Sequence, residues 1–376
     1  MWSGLLALLL VLSACGAEEL AVEQNPEVLS CYKYQCNNGQ YAMLNSTCVM
    51  YLNGVFYLQV CQDKSTPYCI PIDEPNNNST CQVAPAEPIA FSWPGEACRK
   101  DVDCVYGSCA QGYCSAQAQG ASCALNDQCN AGLYCGDKNV CVSQVNVGGV
   151  CTEDYQCVNS AGCNIPDSET GVGSCTEYLT IGHYETVGPC LNNTSLLCGS
   201  GTCGFNDTLH QYVCIPELPS YAQPPLKCTN DGDCFSIPDS KTGTVLTSEC
   251  TCSYNPWGMS FCKLFPGDEI GITVRKYLYD WFQSGNATAC NTVRRTSLNC
   301  LEAHMETEDY LWLAYHLVWF EDFSLVQFLD PCGQQIYQQD YWTLKYDFNH
   351  YRSNFTDIDD YSAAQVLAVM LWTLSA

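Results

Sequence analysis

Cysteine spacing constrains this chain more than any other feature of its sequence. Of its 31 cysteines, 21 lie within the 165 residues from Cys98 to Cys262. Three consecutive units carry four cysteines each, separated by five, then four or five, then four to eleven residues. Such a density is typical of small modules that are held together by disulfides. The cysteines of the three units are Cys98, Cys104, Cys109 and Cys114, then Cys123, Cys129, Cys135 and Cys141, then Cys151, Cys157, Cys163 and Cys175.

The units open alike, as GEACRKDVDC, GASCALNDQC and GGVCTEDYQC, with Asp101, Asn126 or Asp154 three positions after the first cysteine. A degenerate fourth unit holds Cys190, Cys198, Cys203 and Cys214, and a fifth holds Cys228, Cys234, Cys250, Cys252 and Cys262. Each unit is too short to bury a core, so its order must come from cross-links. Closing a loop of about 15 residues contributes about 3 kcal/mol. Four cysteines allow three pairings, of which we expect first-to-third with second-to-fourth.

The pattern in GEACRKDVDCVYGSCAQGYC resembles the cysteine-rich repeats of Dickkopf N-terminal-type domains, over residues 94–178 and in weaker form up to 262. The layout of the whole chain is similar to that of cysteine-rich surface proteins of unicellular eukaryotes such as ciliates. Dickkopf-type proteins are non-enzymatic extracellular binders, so the resemblance implies a binding role. No receptor-contacting residue carries over from it.

The N-terminal segment MWSGLLALLLVLSACGA combines an apolar run with small residues before Ala17, which predicts a cleaved signal peptide. Cleavage there removes Cys15 and leaves 30 cysteines, an even number that can pair completely. An alternative is a bacterial lipobox at Leu12–Cys15, in which Cys15 is lipidated and kept. Since disulfides persist in oxidising compartments, we expect an extracellular or cell-surface protein.

Charge excludes one class of partner. The chain has 40 acidic and 14 basic residues, a net charge of −26, whereas nucleic-acid binding needs clustered Lys and Arg. The acidity favours solubility. A calcium-responsive surface is the alternative, although no stretch matches an EF-hand loop. Its local clusters are Asp101 with Asp103, Asp231 with Asp233, and Asp357, Asp359 and Asp360.

Asn-x-Ser/Thr acceptors occur at six places, which together with a signal peptide predict exposed, glycosylated loops. The predicted sites are Asn45, Asn78, Asn193, Asn206, Asn286 and Asn354, with overlapping acceptors at Asn77 and Asn192.

The regions that flank the units differ in character. Residues 31–81 hold six cysteines and stretches such as Gly54–Val60 that read as short strands, so we expect a separate β-rich module. The proline-containing stretch 82–97 reads as a linker. After Cys262, helical spacing appears at Val274, Tyr277, Leu278 and Trp281. The apolar run 310–320 predicts a buried helix capped by Thr307. One of Cys290, Cys300 and Cys332 is expected to pair with the surplus cysteine of the fifth unit.

These features predict small disulfide-rich modules in tandem, with short β-hairpins, followed by an α-helical C-terminal domain. The predicted divisions are 1–17, signal peptide; 18–93, six-cysteine module and linker; 94–178, three repeats; 179–264, two degenerate repeats; 265–355, aromatic-rich helical domain; and 356–376, hydrophobic tail. The tail has two interpretations, a GPI signal with attachment near Ser353 or a helix docked on the helical domain. If the first holds, the chain meets a membrane only through a lipid anchor.

We find no pattern that predicts catalysis. No Cys-x2-Cys pair is present for zinc or thiol chemistry. The GxGxxG match at 199–204 spans two cysteines without a βαβ unit, so its glycines are interpreted as turn residues. His316 is expected to be a core residue with a hydrogen-bonded ring. Glu306, Glu308 and Asp309 read as a solvated helix start rather than a glycosidase pair.

The sequence therefore predicts no catalytic, cofactor-binding or metal-ligating residues. We expect a non-enzymatic surface glycoprotein with an extracellular protein or glycan partner. Two alternatives remain open, a secreted protease inhibitor and an enzyme housed in the helical domain.

Overall fold

The computed structural model describes residues 28–337, except 73, 76, 84–91 and 191. The fold class is confirmed, since short strand pairs with many disulfides precede a helical region. The strands are β1 Lys33–Cys36, β2 Thr47–Leu52, β3 Val55–Leu58, β4 Tyr68–Cys69, β5 Asn78–Gln82, β6 Ser108–Ala110, β7 Tyr113–Ser115, β8 Leu133–Cys135, β9 Cys141–Ser143, β10 Val150–Cys151, β11 Ala161–Asn164, β12 Gly173–Glu177, β13 Cys203–Asn206, β14 Gln211–Cys214, β15 Lys227–Cys228, β16 Cys250–Cys252 and β17 Ser260–Cys262. The helices are α1 Glu269–Gln283, α2 Leu298–His304, α3 Thr307–Val326 and α4 Pro331–Tyr337.

Fifteen disulfides use all thirty cysteines of the described residues. In all five units the first cysteine bonds the third and the second bonds the fourth, which is the expected pairing once Cys252 is set aside as the surplus cysteine. The buried interior of the second and third units consists almost wholly of half-cystines. Cross-links thus take the place of a hydrophobic core there.

Two side chains in the opening of a unit hold its first turn. The residue three positions after the first cysteine accepts a hydrogen bond of 2.7–2.9 Å from the backbone N–H of the third cysteine. The residue just before the second cysteine accepts backbone N–H groups that follow the first. The polar pattern of the openings is therefore structural, because it satisfies amides that a tight turn leaves unpaired. The first set is Asp101, Asn126, Asp154 and Asp231, and the second is Asp103, Gln128, Gln156 and Asp233.

The N-terminal sheet has the order β1-β3-β2-β5-β4, with β1 parallel to β3 and the other pairs antiparallel. The strand expected within Gly54–Val60 is confirmed as β3. Phe56 is fully buried and stacks on Tyr34 at 4.9 Å between ring centroids. Leu329 and Ile336, from the other end of the described chain, complete this core.

The cysteine pairing of this sheet corrects one expectation. Only two disulfides are internal to it, Cys48–Cys69 and Cys61–Cys81. Cys31 bonds Cys252, the surplus cysteine of the fifth unit, and Cys36 bonds Cys332 at the start of α4. The prediction that Cys252 pairs with a cysteine of the helical region was wrong, since Cys290 bonds Cys300 instead. The N-terminal module is thus covalently tied to the rest of the chain.

The helices share their core with the fourth unit. Val274, Trp281 and Phe282 of α1 pack with Leu301 and Leu313 in one cluster, and Tyr277 and Leu278 lie against it as the spacing predicted. Tyr178, Leu179, Ile181, Val187 and Leu197, from residues 178–197, belong to the same cluster. Along the apolar run 310–320, Leu313, Ala314 and Tyr315 are buried and the other residues are half-buried. Thr307 is the first helical residue of α3 rather than its cap, a position that Glu306 takes.

The segment 287–297, here called the central segment, contains buried polar side chains and binds all three regular units. Asn291, which has no exposed surface, donates hydrogen bonds to the first and second units. Its backbone N–H donates to the Pro94 carbonyl at 3.1 Å, and its Nδ2 donates to the Cys129 carbonyl at 2.9 Å. Ser297 donates to Oε1 of Glu96 at 2.8 Å, and Glu96 is only 1% exposed. The last residues of the predicted linker 82–97 are therefore bound to the central segment, because Glu96 accepts hydrogen bonds from the Ser297 hydroxyl and from the Trp93 backbone N–H.

Four more side chains join the third unit to the central segment. Thr292 and Arg295 belong to the central segment, and Gln144 and Asn159 lie on the side of the third unit. Nδ2 of Asn159 donates to the carbonyls of Ala287 and Cys290 at 2.9 and 2.6 Å. Arg295 donates to the carbonyls of Ala161 and Asp154 at 2.8 and 3.0 Å. Thr292 donates to the Tyr155 carbonyl at 2.8 Å and accepts from Gln144 at 3.0 Å. Hydrogen bonds thus fix the units on the helical region together with the apolar contact of Tyr178 with Phe282.

Candidate binding surface

The fifth unit carries an inserted hairpin. Its second and third cysteines, Cys234 and Cys250, are separated by fifteen residues instead of the four or five of the regular units. The extra residues pair across Phe235 and Thr247, and the Ser236 N–H donates to the Leu246 carbonyl at 2.9 Å. Residues 219–221 add a third edge, through a bridge between Ser220 and Ser236. The result is a ribbon of three extended segments that are joined by isolated bridges.

The two faces of this ribbon differ in burial, as alternation along an extended chain requires. On one face Ser220 and Ser236 are buried, and Leu246 packs against Val213, Ile215 and Leu218. On the other face four large side chains keep 40–45% of their surface exposed. The rings of Tyr221 and Phe235 stack there at 4.4 Å between centroids and 16° between planes. We call this the apolar face, and it consists of Tyr221, Phe235, Ile237 and Val245.

Single exposed apolar residues are ordinary, but four large ones on the same face of a ribbon mark a site of interaction. The sequence did not predict a site at these residues, because the cysteine spacing of 179–264 indicates only degenerate repeats. Two signals could have identified them: the long gap between Cys234 and Cys250, and the alternation Phe235-Ser-Ile237 inside it.

An open cleft of about 510 Å³ lies between the N-terminal sheet and α4. Asp330 is the one ionisable side chain among its lining residues, and the Cys36–Cys332 disulfide forms part of its wall. The other lining residues are half-cystine, amide and apolar side chains and Pro331.

One cluster of ionisable groups joins α1 to the fourth unit. Nη2 of Arg275 lies 2.7 Å from Oε1 of Glu217, whose Oε2 lies 3.7 Å from Nε2 of His183. Burial lowers the pKa of the Arg275 guanidinium, and Glu217 opposes that shift. The nearby Ser200 hydroxyl is buried and donates to the Thr202 carbonyl. The cluster thus ties a helix to a turn.

The other singled-out groups occupy structural positions. Nδ1 of His316 lies 2.7 Å from the Trp312 carbonyl, as expected for a hydrogen-bonded core ring, and burial lowers the His316 pKa to about 4. Glu306, Glu308 and Asp309 are exposed at the start of α3. The pKa of Asp309 is raised, mainly because its carboxyl is partly desolvated and also because the charges of Glu306 and Asp280 lie nearby. In the GxGxxG stretch, Gly201 turns the chain at φ +68° before β13.

Five groups of three cysteine sulfurs lie within 4.8 Å of one another in the described part of the chain. Each group contains one complete disulfide and one sulfur that is bonded to a cysteine outside the group. Zinc binding requires thiolates, so these sulfurs are cross-links rather than ligands.

The acidic clusters of the units serve their turns. Asp101 and Asp231 each accept the amide of a third cysteine, and Asp103 and Asp233 accept amides after a first cysteine. For Asp233, hydrogen bonds from the Thr229 hydroxyl and backbone lower the carboxyl pKa. The third cluster, Asp357, Asp359 and Asp360, lies outside the described residues, as does the hydrophobic tail 356–376.

Four of the predicted glycosylation sites can be located. Asn45, Asn78 and Asn286 are exposed, and Asn206 is half-buried at the β13–β14 turn. Oδ1 of Asn206 accepts the Thr208 N–H at 3.0 Å, which leaves the amide nitrogen, the atom that a glycan modifies, outside this bond. Asn354 and the side chain of Asn193 lie outside the described part of the chain.

Among the described residues, none of the helices combines the length and the apolar character needed to cross a membrane. Comparisons with protein-family models, curated proteins and solved structures gave no match to this chain. The chain consists of tandem small cysteine-rich modules. Its fifteen disulfides are typical of an oxidising compartment.

Proposed function

We propose that this chain is a non-enzymatic glycoprotein of the extracellular space or cell surface, and that it binds a partner through a rigid, disulfide-stapled scaffold. The observation that carries the proposal is the apolar face, because four exposed large side chains stand on a ribbon whose other face is buried. The dense cross-linking supports an extracellular location.

Several finer points belong to the same proposal. Residues 1–17 act as a cleaved signal peptide, the exposed sequons carry glycans, and the tail 356–376 directs a GPI anchor or docks as a helix. The resemblance of residues 94–178 to Dickkopf N-terminal-type repeats supports a binding role, since those proteins act as extracellular binders.

Expression of the full chain in eukaryotic cells tests location and chemistry together. We expect mature protein outside the cell that begins after Ala17, loses mass on treatment with a peptide N-glycosidase, and gives the fifteen disulfides in non-reducing peptide maps. A variant without residues 1–17 is the control and should stay inside the cell. Free thiols in the secreted wild type would contradict the proposal.

The non-enzymatic part needs a separate measurement. Purified protein is assayed for hydrolysis of generic ester, glycoside and peptide substrates, and for inhibition of serine and cysteine proteases. We expect no turnover and no stoichiometric inhibition. Tight inhibition of a protease would replace the proposal with an inhibitor role, and turnover that survives repurification would replace it with an enzyme.

A further inference from the structure

We propose that the apolar face is the docking site for a cationic polypeptide segment that carries large apolar side chains. This inference rests on the proposed binding function and names its partner by chemistry. It follows from the rigidity of the ribbon, from the hydrocarbon character of the face and from the net charge of the chain.

All three segments of the ribbon are held in place by disulfides or by hydrogen bonds to buried carboxylates. The disulfides Cys228–Cys250 and Cys234–Cys262 hold the base of the hairpin. Buried Asp268 accepts both the N–H and the hydroxyl of Ser220, at 2.9 and 2.8 Å.

The tip of the hairpin is fixed by a second carboxylate. Buried Asp239 accepts the Thr242 N–H at 2.7 Å and the Tyr184 hydroxyl at 2.9 Å. A surface that is held in place before binding loses little conformational entropy when a partner arrives, which is a property of docking sites.

The composition of the face favours a polypeptide over a glycan. Two stacked aromatic rings and two aliphatic side chains supply hydrocarbon surface, which large apolar side chains of a partner can cover. Such residues form the central, water-excluding part of protein interfaces, and polar groups surround them. The hydroxyls of Ser220 and Ser236 point to the opposite, buried face, where they bond Asp268 and the Ile237 carbonyl.

Charge decides between a foreign segment and a second copy of the chain. The net charge is −26, so two copies repel each other, whereas a cationic partner is attracted. Two lysines near the ribbon are already engaged. Nζ of Lys241 lies 3.9 Å from the centre of the Tyr184 ring, and Nζ of Lys263 lies 2.5 Å from Oε2 of Glu249.

The test uses the full mature chain and short fluorescein-labelled peptides, with binding followed by fluorescence anisotropy. The probe alternates leucine and lysine, and two comparison peptides alternate leucine with glutamate and serine with lysine. We expect the leucine–lysine peptide to bind at least about tenfold more tightly than either comparison peptide. Raising NaCl from about 50 to about 300 mM should weaken it several-fold, because screening removes the electrostatic part.

Variants then locate the site. The double variant Phe235→Ser/Ile237→Ser should bind the leucine–lysine peptide at least about tenfold more weakly. Phe205→Ser is the matched control, since Phe205 is 41% exposed and contacts Tyr212 on the β13–β14 hairpin, and it should change affinity by less than about twofold. Should the double variant misfold in non-reducing peptide maps, Val245→Lys on the same face replaces it and should also weaken binding.

Unchanged binding by the variants on the apolar face, or tighter binding of the leucine–glutamate peptide, would overturn the inference. A wild-type dimer in sedimentation that the double variant dissolves would also overturn it, and would assign the face to a second copy. If the peptide fails to bind a secreted, glycosylated and fully oxidised protein, the docking inference falls alone. Intracellular retention with free thiols would remove the proposed function first.

Discussion

Asn159 provides the sharpest test of how the units are fixed to the helical region. Its side chain is fully buried and makes three hydrogen bonds, donating to the carbonyls of Ala287 and Cys290 and accepting from Gln144. Asn159→Ala leaves the buried Cys290 carbonyl without a donor, whereas the Ala287 carbonyl keeps the Cys290 N–H at 3.1 Å. Since a buried unpaired polar group costs about 1–3 kcal/mol and the second lost hydrogen bond about 1 kcal/mol, we expect a loss of about 2–4 kcal/mol in the free energy that holds the third unit on the central segment.

The assay is hydrogen exchange on the intact, oxidised protein, because the disulfides keep the unit itself folded and a single melting temperature would mix several events. The amide of Cys290, which donates to the same Ala287 carbonyl that Asn159 binds, reports release of the third unit from the central segment. A loss of about 2–4 kcal/mol speeds its exchange by roughly 25- to 700-fold. Asn146→Ala, at an exposed position in the same unit, is the control and should change exchange by less than about twofold.

Asn159→Asp separates hydrogen bonding from size. At neutral pH a carboxylate oxygen would face the two carbonyl oxygens without a donor, so this variant should lose more than Asn159→Ala. Burial and the carbonyls raise the folded-state pKa of the new carboxyl above its unfolded value of about 3.9. The penalty is therefore full above the folded-state pKa and disappears as the pH falls below about 4. Exchange at the Cys290 amide equal in Asn159→Ala and the control, or a milder effect of Asn159→Asp than of Asn159→Ala at pH 7, would refute this account.

Three further predictions concern single positions. Gly95, at φ +92°, lies against a backbone carbonyl of the central segment, so Gly95→Ala would place a Cβ against that carbonyl. We expect the free energy that holds the first unit on the central segment, measured by hydrogen exchange, to fall by about 2–4 kcal/mol. Gly112→Ala, at φ +87° in open space, is the control that shows the backbone strain alone. Burial lowers the His316 pKa to about 4, so the unfolded state binds a proton more readily than the folded state below about pH 6.5. The free energy of unfolding, measured with denaturant, should therefore fall by up to about 3 kcal/mol between pH 7 and 4. His316→Phe should flatten that pH dependence. Asn126→Ala removes the acceptor for the Cys135 amide and should cost about 1 kcal/mol at that amide, while Asn126→Asp keeps the acceptor and should be nearly neutral.

Much of the local structure could be predicted from residue spacing alone. The disulfides inside the units join cysteines only 10 to 28 positions apart, so short loops limit which partners can meet. Helical periodicity placed the buried face of α1, and alternation placed β3, because both depend on the geometry of neighbouring residues. The side chains of Asp101, Asn126 and Asp154 were noticed as a pattern, but their role as acceptors for the third cysteine needed the turn itself.

The tertiary structure alone decided the long-range arrangement. The disulfides Cys31–Cys252 and Cys36–Cys332 join residues 221 and 296 positions apart, and no spacing rule selects such partners. The docking of Glu96 and Asn159 on the central segment depends on which carbonyls and hydroxyls happen to face them after folding. The apolar face likewise exists because one face of its ribbon is covered by Val213, Ile215 and Leu218 while the other is left open. Cross-links between near neighbours are written in local spacing, whereas contacts between distant segments arise only when the whole chain brings complementary groups together.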